Sequence, residues 1–305
     1  MKRQLLTIIM LIATTICFAQ EEEDYEAADI FSSLGEGDKP ALLMVHFGTT
    51  HDDTRALTID AINQKAKEAF PTIEVREAWS SRIVMRRIKA RGVEKLNPTE
   101  ALDKLSEDGF THIIVQSTNV IDGAEMESLR SDISSKESLF KEVRIGNPLL
   151  YKPDDYEAVV QAVTVNSKTD EATVLVGHGT YNPATAQYAM MDYMLKDKGY
   201  KNFFIGTIEG YPSFDTMLSQ LKESGLKKVT LRPFMFVAGD HANNDIAVDW
   251  KEALESEGLE VSLFLEGLGQ NEAIQDLYIE HARFAASHKA IDLSAKKKIY
   301  ATEND

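Results

Sequence analysis

Read for its apolar and polar positions, the chain alternates short apolar runs with longer amphipathic stretches. The runs at 41–47, 72–79, 112–116, 143–149, 172–176, 202–208, 229–236 and 259–265 are the length of buried strands and are bounded by turn residues. Between them the apolar period changes to that of a helix. Ala56, Ile59, Ile62, Ala66 and Ala69 share one face, and Pro71 follows its end. Asn97-Pro98-Thr99-Glu100 is a helix start, with Asn as the cap, Pro at the first position and Glu at the third. In the second half, helices are predicted over 154–165, 184–196, from Ser213 to Gly225, and over 245–256. A last helix, 272–288, has the apolar positions Ile274, Leu277, Tyr278 and His281, a face for packing against the first half. Strands alternating with helices give parallel sheets with right-handed crossovers.

The two halves look like copies. Residues 41–49 (ALLMVHFGT) line up with 172–180 (ATVLVGHGT), and 113–125 with 229–241. The expected fold is therefore α/β. It has two similar lobes, 40–150 and 151–290, each a parallel sheet flanked by helices, with a cleft between strand ends that suits a large flat ligand.

The ends read differently. Residues 1–19 carry Lys2 and Arg3, an apolar run from Leu5 to Phe18, then Ala19 before a polar stretch. That is the pattern of a signal peptide, so export, to a periplasm in a Gram-negative source, is expected, with contact to a membrane only through the leader. An uncleaved anchor is the other reading. Cys17 is the single cysteine and falls inside the leader, leaving a mature chain without disulfide or thiol chemistry. Residues 20–39, acidic and with two glycines, read as a flexible solvated segment, and 291–305 as a tail. The net charge of −16 argues against a nucleic-acid partner.

Candidate chemistry lies just past three strands of the second lobe. His178 follows the run 172–176, Glu209 ends the run 202–208, and His241 sits in the turn after 229–236. Ligands in open α/β sheets bind at such ends. If the three strands are neighbours, two imidazoles and a carboxylate converge. They can hold a divalent first-row cation with positions left open, or accept protons near neutral pH. Asp240, Asn243 and Asn244 either orient His241 or belong to the start of the following helix. At the matching end in the first lobe stand His46, Phe47, Gly48 and Thr49. His46 faces the cleft in one orientation and packs beneath the sheet in the other. His51 reads as a solvated turn residue, His112 as structural, and His281 and His288 have no evident partner. Met190, Met191 and Met194 are spaced as core. The basic stretch 82–91 is either a solvated helix face or, in so acidic a chain, a dock for ligand carboxylates. No phosphate-binding loop, dinucleotide fingerprint, His-Glu-x-x-His or Gly-x-Ser-x-Gly occurs, so no nucleotide is expected.

These motifs carry a resemblance. Phe47-Gly-Thr, Gly177-His-Gly, Ile208-Glu-x-Tyr-Pro212, Val237-Ala-Gly-Asp-His-Ala-x-Asn-Asp245 and Gly267-Leu-Gly, in this order, resemble the anaerobic cobalt chelatases of the CbiK type over roughly residues 40–284. The resemblance implies two related α/β lobes with a tetrapyrrole between them. It also implies ATP-independent insertion of Co²⁺ into sirohydrochlorin for cobalamin synthesis, and His178, Glu209 and His241 as metal-binding and catalytic residues. It implies a ring whose face is towards His178 and His241, and His46, Phe47, Gly48 and Thr49 of the first lobe are candidate residues for binding it. The chain departs from the family at two positions: His46, where a small residue is usual, and Asn119, where a histidine is usual. The other readings are Fe²⁺ or Ni²⁺ in place of Co²⁺, and an exported haem, tetrapyrrole or metal carrier without turnover, with His46 as an axial ligand. Self-association into a homo-oligomer is compatible with either.

Overall fold

The structure, a computed structural model, describes residues 24–292 apart from Asn166, together with Ser294 and Lys297. The expected leader with Cys17, and most of the 291–305 tail, lie outside the described residues. Ten strands are present among them: β1 (Tyr25–Ala27), β2 (Pro40–His46), β3 (Glu74–Trp79), β4 (His112–Ser117), β5 (Glu142–Ile145), β6 (Ala172–Gly179), β7 (Phe203–Glu209), β8 (Lys228–Pro233), β9 (Glu260–Leu263) and β10 (His288–Ala290).

Two four-stranded sheets result, ordered β3-β2-β4-β5 and β7-β6-β8-β9, and every pairing within them is parallel. The orders are the same when each half is counted from its own first strand. The aligned runs 41–49 and 172–180 fall on β2 and β6, the equivalent strands, so the duplication is structural. The two central strands are apolar along most of their length because helices cover both faces. In β2 every residue from Ala41 to His46 is buried. The expected caps form: Asn97 makes the capping box with Glu100, and Ser213 accepts from the Thr216 amide.

The inner faces of both sheets share one core. Leu42, Met44 and Ile114 of the first sheet and Leu175, Phe203 and Ile205 of the second belong to a single buried cluster with Ile274 and Tyr278. The last helix, Glu272–Ser287, supplies the last two and lies on β4. Its Tyr278 hydroxyl donates to the carbonyls of Thr118 (3.0 Å) and Asn119 (3.2 Å). His281 has partners after all, the Asn147 carbonyl at 3.2 Å and the Asp155 carboxylate at 3.1 Å. A helix from the end of the chain thus completes the first lobe, and the outer face of each sheet has a core of its own.

The segment expected to be a flexible linker is docked from Asp24 onward. β1 pairs antiparallel with β10. A short 3-10 turn, Ile30–Ser33, is capped by Asp29 and sinks Ile30 to 0% exposure. The buried Arg144 guanidinium donates to the carbonyls of Ala28, Ala285 and Ala286, tying the segment to the last helix. Hydrogen bonds from Lys141 and the Gly35 amide hold the Asp38 carboxyl down to about 2. An acidic composition argues for solvation, but one buried isoleucine and a partner strand some 260 residues away outweigh it.

Candidate active site

β7, β6 and β8 are neighbours, so the ends of the three strands do meet. His178 is the penultimate residue of β6, and Glu209 is the last of β7, in register with Gly179. Gly179 has φ +89°, and a Cβ there would stand 1.5 Å from the Glu209 carbonyl oxygen. Only glycine permits that approach, and it brings the His178 and Glu209 backbones side by side. Beyond β8 the chain turns through Gly239. His241 precedes the π-helical segment Ala242–Trp250, the wider winding that often accompanies functional sites.

The two imidazoles come together edge to face, with ring centroids 4.8 Å apart. Each has its Nδ1 occupied: His178 by the Gly179 carbonyl at 3.2 Å, His241 by the Asp245 carboxylate at 2.7 Å. Both acceptors lack protons, so each neutral ring carries its hydrogen on Nδ1 and its lone pair on Nε2. The His241 side chain keeps 43% of its exposure. The pair can therefore offer two nitrogen lone pairs to a cation from solvent. Glu209 stands at the same rim, but among the described residues no three His, Cys, Asp or Glu side chains are grouped as a metal site. The expected triad is thus a histidine pair with a carboxylate beside it.

Asp240 does not orient His241. It points to the first lobe, where it accepts from His51 Nε2 (3.0 Å), Thr50 Oγ1 (3.4 Å) and the Arg87 guanidinium. Partial burial works against its charge, yet His51 and Arg87 keep its carboxyl below the usual range. His51 is accordingly not a free turn residue. Asn243 bonds back to the Gly239 carbonyl at 3.0 Å, within its own turn. The residue that does hold His241 is Asp245. Its signal was the spacing of four, which puts two side chains on one face of a helix. A second junction joins the lobes near His178: Asn182 donates to Glu127 at 3.0 Å, and the Asp122 amide to Gln187 at 2.7 Å.

On the first lobe, Phe47 is 38% exposed, Thr49 is buried, and Gly48 (φ +95°) lies under the Trp79 indole, where a Cβ would come within 2.4 Å of the ring. His46 takes the packed orientation and does not face a cleft. It is 1% exposed, bonded through Nδ1 to Thr118 Oγ1 (3.1 Å) and through Nε2 to Asn63 Oδ1 (2.9 Å), and stacked on Phe236. With both nitrogens engaged it is no axial ligand. The reason is a cross-lobe contact: Phe236, from the second half, covers it.

Burial pushes the His46 imidazole below its ordinary 6.5, against the opposing pull of Asn63 and Glu77. In the fold it is neutral, whereas unfolding lets it take a proton below that value. Its contribution to stability is complete above 6.5 and lost as pH falls below it. The melting temperature is expected to drop between about pH 7 and about pH 5, and to drop less in His46→Gln. Equal slopes in thermal melts of the two proteins would assign the acid sensitivity elsewhere. Of the remaining expectations, His112 is buried and structural, and Met191 and the partly buried Met194 belong to the core, but Met190 is 39% exposed and does not; His288 stacks on Phe284 with centroids 4.2 Å apart.

Comparison with known proteins agrees with this fold. The model of the family described as cobalt chelatase (CbiK) matches residues 40–287. A sirohydrochlorin cobaltochelatase of Salmonella typhimurium is 32% identical over 267 residues, covering 85% of this chain and 99% of the relative. A second, sirohydrochlorin cobaltochelatase CbiKC of Nitratidesulfovibrio vulgaris, is 31% identical over 259 residues, covering 82% and 91%. Among solved structures, Bacillus subtilis SirB with Fe³⁺ superposes with a TM-score of 0.59 at 14% identity, covering 82% of this chain and 96% of that one. The SirB complex with cobalt superposes with a TM-score of 0.55 at 17% identity, covering 81% and 95%. These likenesses show a shared fold. With the family model spanning both lobes and the strand ends that carry the histidine pair, the chain belongs to the cobalt chelatase (CbiK) family.

Proposed function

We propose that this protein is a sirohydrochlorin cobaltochelatase, inserting Co²⁺ into the ring without ATP. The observation that carries the reading is the histidine pair, whose Nδ1 hydrogens are tied down and whose Nε2 lone pairs are free at a rim between two lobes. Co²⁺ is a substrate here. Two imidazoles satisfy part of its coordination shell and leave the rest for water and then for ring nitrogens. Holding metal and macrocycle face to face converts an encounter into a positioned step.

As Co²⁺ enters the ring, two pyrrole N–H protons must leave. An imidazole that releases the metal regains a free Nε2 lone pair and can accept one. Glu209 can accept the other, since its carboxylate has no hydrogen-bond partner among the described residues. Asp245 and the Gly179 carbonyl keep both rings in the tautomer that presents Nε2 throughout. His46 takes no part. The leader motif at 1–19 supports an exported, periplasmic enzyme.

The test is an anaerobic absorbance assay of purified mature protein with sirohydrochlorin and Co²⁺, then Fe²⁺ and Ni²⁺, with no nucleotide added. A band shift continuing over many turnovers, fastest with Co²⁺, is expected. A shift that stops at one equivalent of protein would make it a carrier, and faster insertion of Fe²⁺ or Ni²⁺ would change the metal.

A further inference from the structure

The helix Arg82–Lys89 lies at the mouth of the first lobe, and nothing in the mechanism above uses it. It starts directly beyond β3, and the amides of Ser80 and Ser81 bond the carbonyls of His46 (2.8 Å) and Phe47 (3.1 Å), which fixes its first turn beside Phe47. Arg82 and Arg86, four residues apart on one face, are both exposed. Neither has a carboxylate partner among the described residues, although the chain carries 49 acidic and 33 basic residues. Ile83, the next residue round the helix, is 56% exposed, and Phe47, at the end of the neighbouring strand, is 38% exposed. Arg87, next along, does hold a carboxylate, Asp240 of the other lobe, the neighbour of His241. Arg91 steadies the same junction by donating to the Thr50 carbonyl at 2.6 Å.

We infer that Arg82, Arg86 and Arg87 form a docking edge for the peripheral carboxylates of the tetrapyrrole, with Ile83 and Phe47 against its apolar body and Asp240 occupying Arg87 until the substrate arrives. The inference rests on the tetrapyrrole reading above. Apolar side chains flanked by unpaired guanidinium groups match a flat ring with an acidic rim, because guanidinium forks pair well with carboxylates. The Asp240 contact shows directly that a carboxylate fits this place. Exchange of Asp240 for a substrate carboxylate would also loosen the junction between the lobes as the ring enters.

The experiment is equilibrium binding to the mature protein without metal, followed by porphyrin fluorescence. The probes are uroporphyrin I, whose rim is fully carboxylated, and deuteroporphyrin, which has two carboxylates. Wild type is expected to prefer uroporphyrin, less so as salt is raised. The double variant R82A/R86A should weaken uroporphyrin binding by about five- to tenfold, the effect of two exposed ion pairs, and leave deuteroporphyrin nearly unchanged. D240N should strengthen uroporphyrin binding by about threefold, having removed the competing carboxylate. Equal effects of R82A/R86A on both probes, no effect on either, or weaker uroporphyrin binding by D240N would overturn the inference. Because no metal is present, the outcome is separable from chelatase activity. Intact carboxylate-selective binding without metal insertion would defeat the proposed enzyme alone. Insertion with an unchanged KM in R82A/R86A would defeat the docking edge alone.

Discussion

His178→Ala and His241→Ala are each expected to lower the rate of Co²⁺ insertion by at least about 10²-fold, the usual scale for removing a group that holds a reactant or moves its proton. The folded protein should survive both changes. His241 is partly exposed and its contact with Asp245 is a surface one, so truncation changes stability by about 0.5 kcal/mol or less. Thermal melts should therefore overlay while insertion disappears. Asp245→Ala tests the positioning of the ring rather than its presence. Freed from Asp245, the His241 imidazole can rotate or place its hydrogen on Nε2, and a loss of about 10- to 100-fold is expected. Asp245→Asn keeps an acceptor oxygen and should recover part of it. A double variant lacking both imidazoles that still turns over at the wild-type rate would end the assignment of the pair.

Gly179→Ala is expected to be the most damaging single methyl in the molecule. Two costs combine. A non-glycine residue at φ +89° is strained by about 1–2 kcal/mol. The new Cβ would also lie 1.5 Å from the Glu209 carbonyl oxygen, which belongs to the neighbouring strand and not to a side chain that can swing away. β6 and β7 must separate at their ends, giving a loss on the order of 3–5 kcal/mol and a melting temperature lower by roughly 10 °C. The same separation carries His178 away from His241, so residual folded protein should insert metal poorly. Gly199→Ala is the control, since a Cβ there meets nothing within 4 Å despite φ +93°. Only the smaller strain should appear, with insertion intact. Equal melting temperatures for the two variants would show that the strand ends give way more easily than this packing implies.

The eight strands of the two sheets were legible because each is an apolar run bounded by turn residues, and parallel strands covered on both faces need such runs. The duplication was legible for the same reason: β2 and β6 meet the same demand at equivalent places. His178, Glu209 and His241 could be found because each follows a strand, and strand order then brought the ends together. The β1–β10 pair could not be found. Three residues of ordinary composition carry no local signal, and their partner lies at the other end of the chain.

The site divides in the same way. Local sequence determined which residues stand at the strand ends and where the helices start. Only the tertiary structure decided what each polar side chain faces. It turned Asp240 away from His241 and onto His51 and Arg87, and buried His46 beneath Phe236. Backbone elements follow from periods of two to four residues, which a single stretch of chain contains. The partners of Asp240 and His46 are set by how two lobes meet across a shared core, and the groups that settle them are 153 to 190 residues apart.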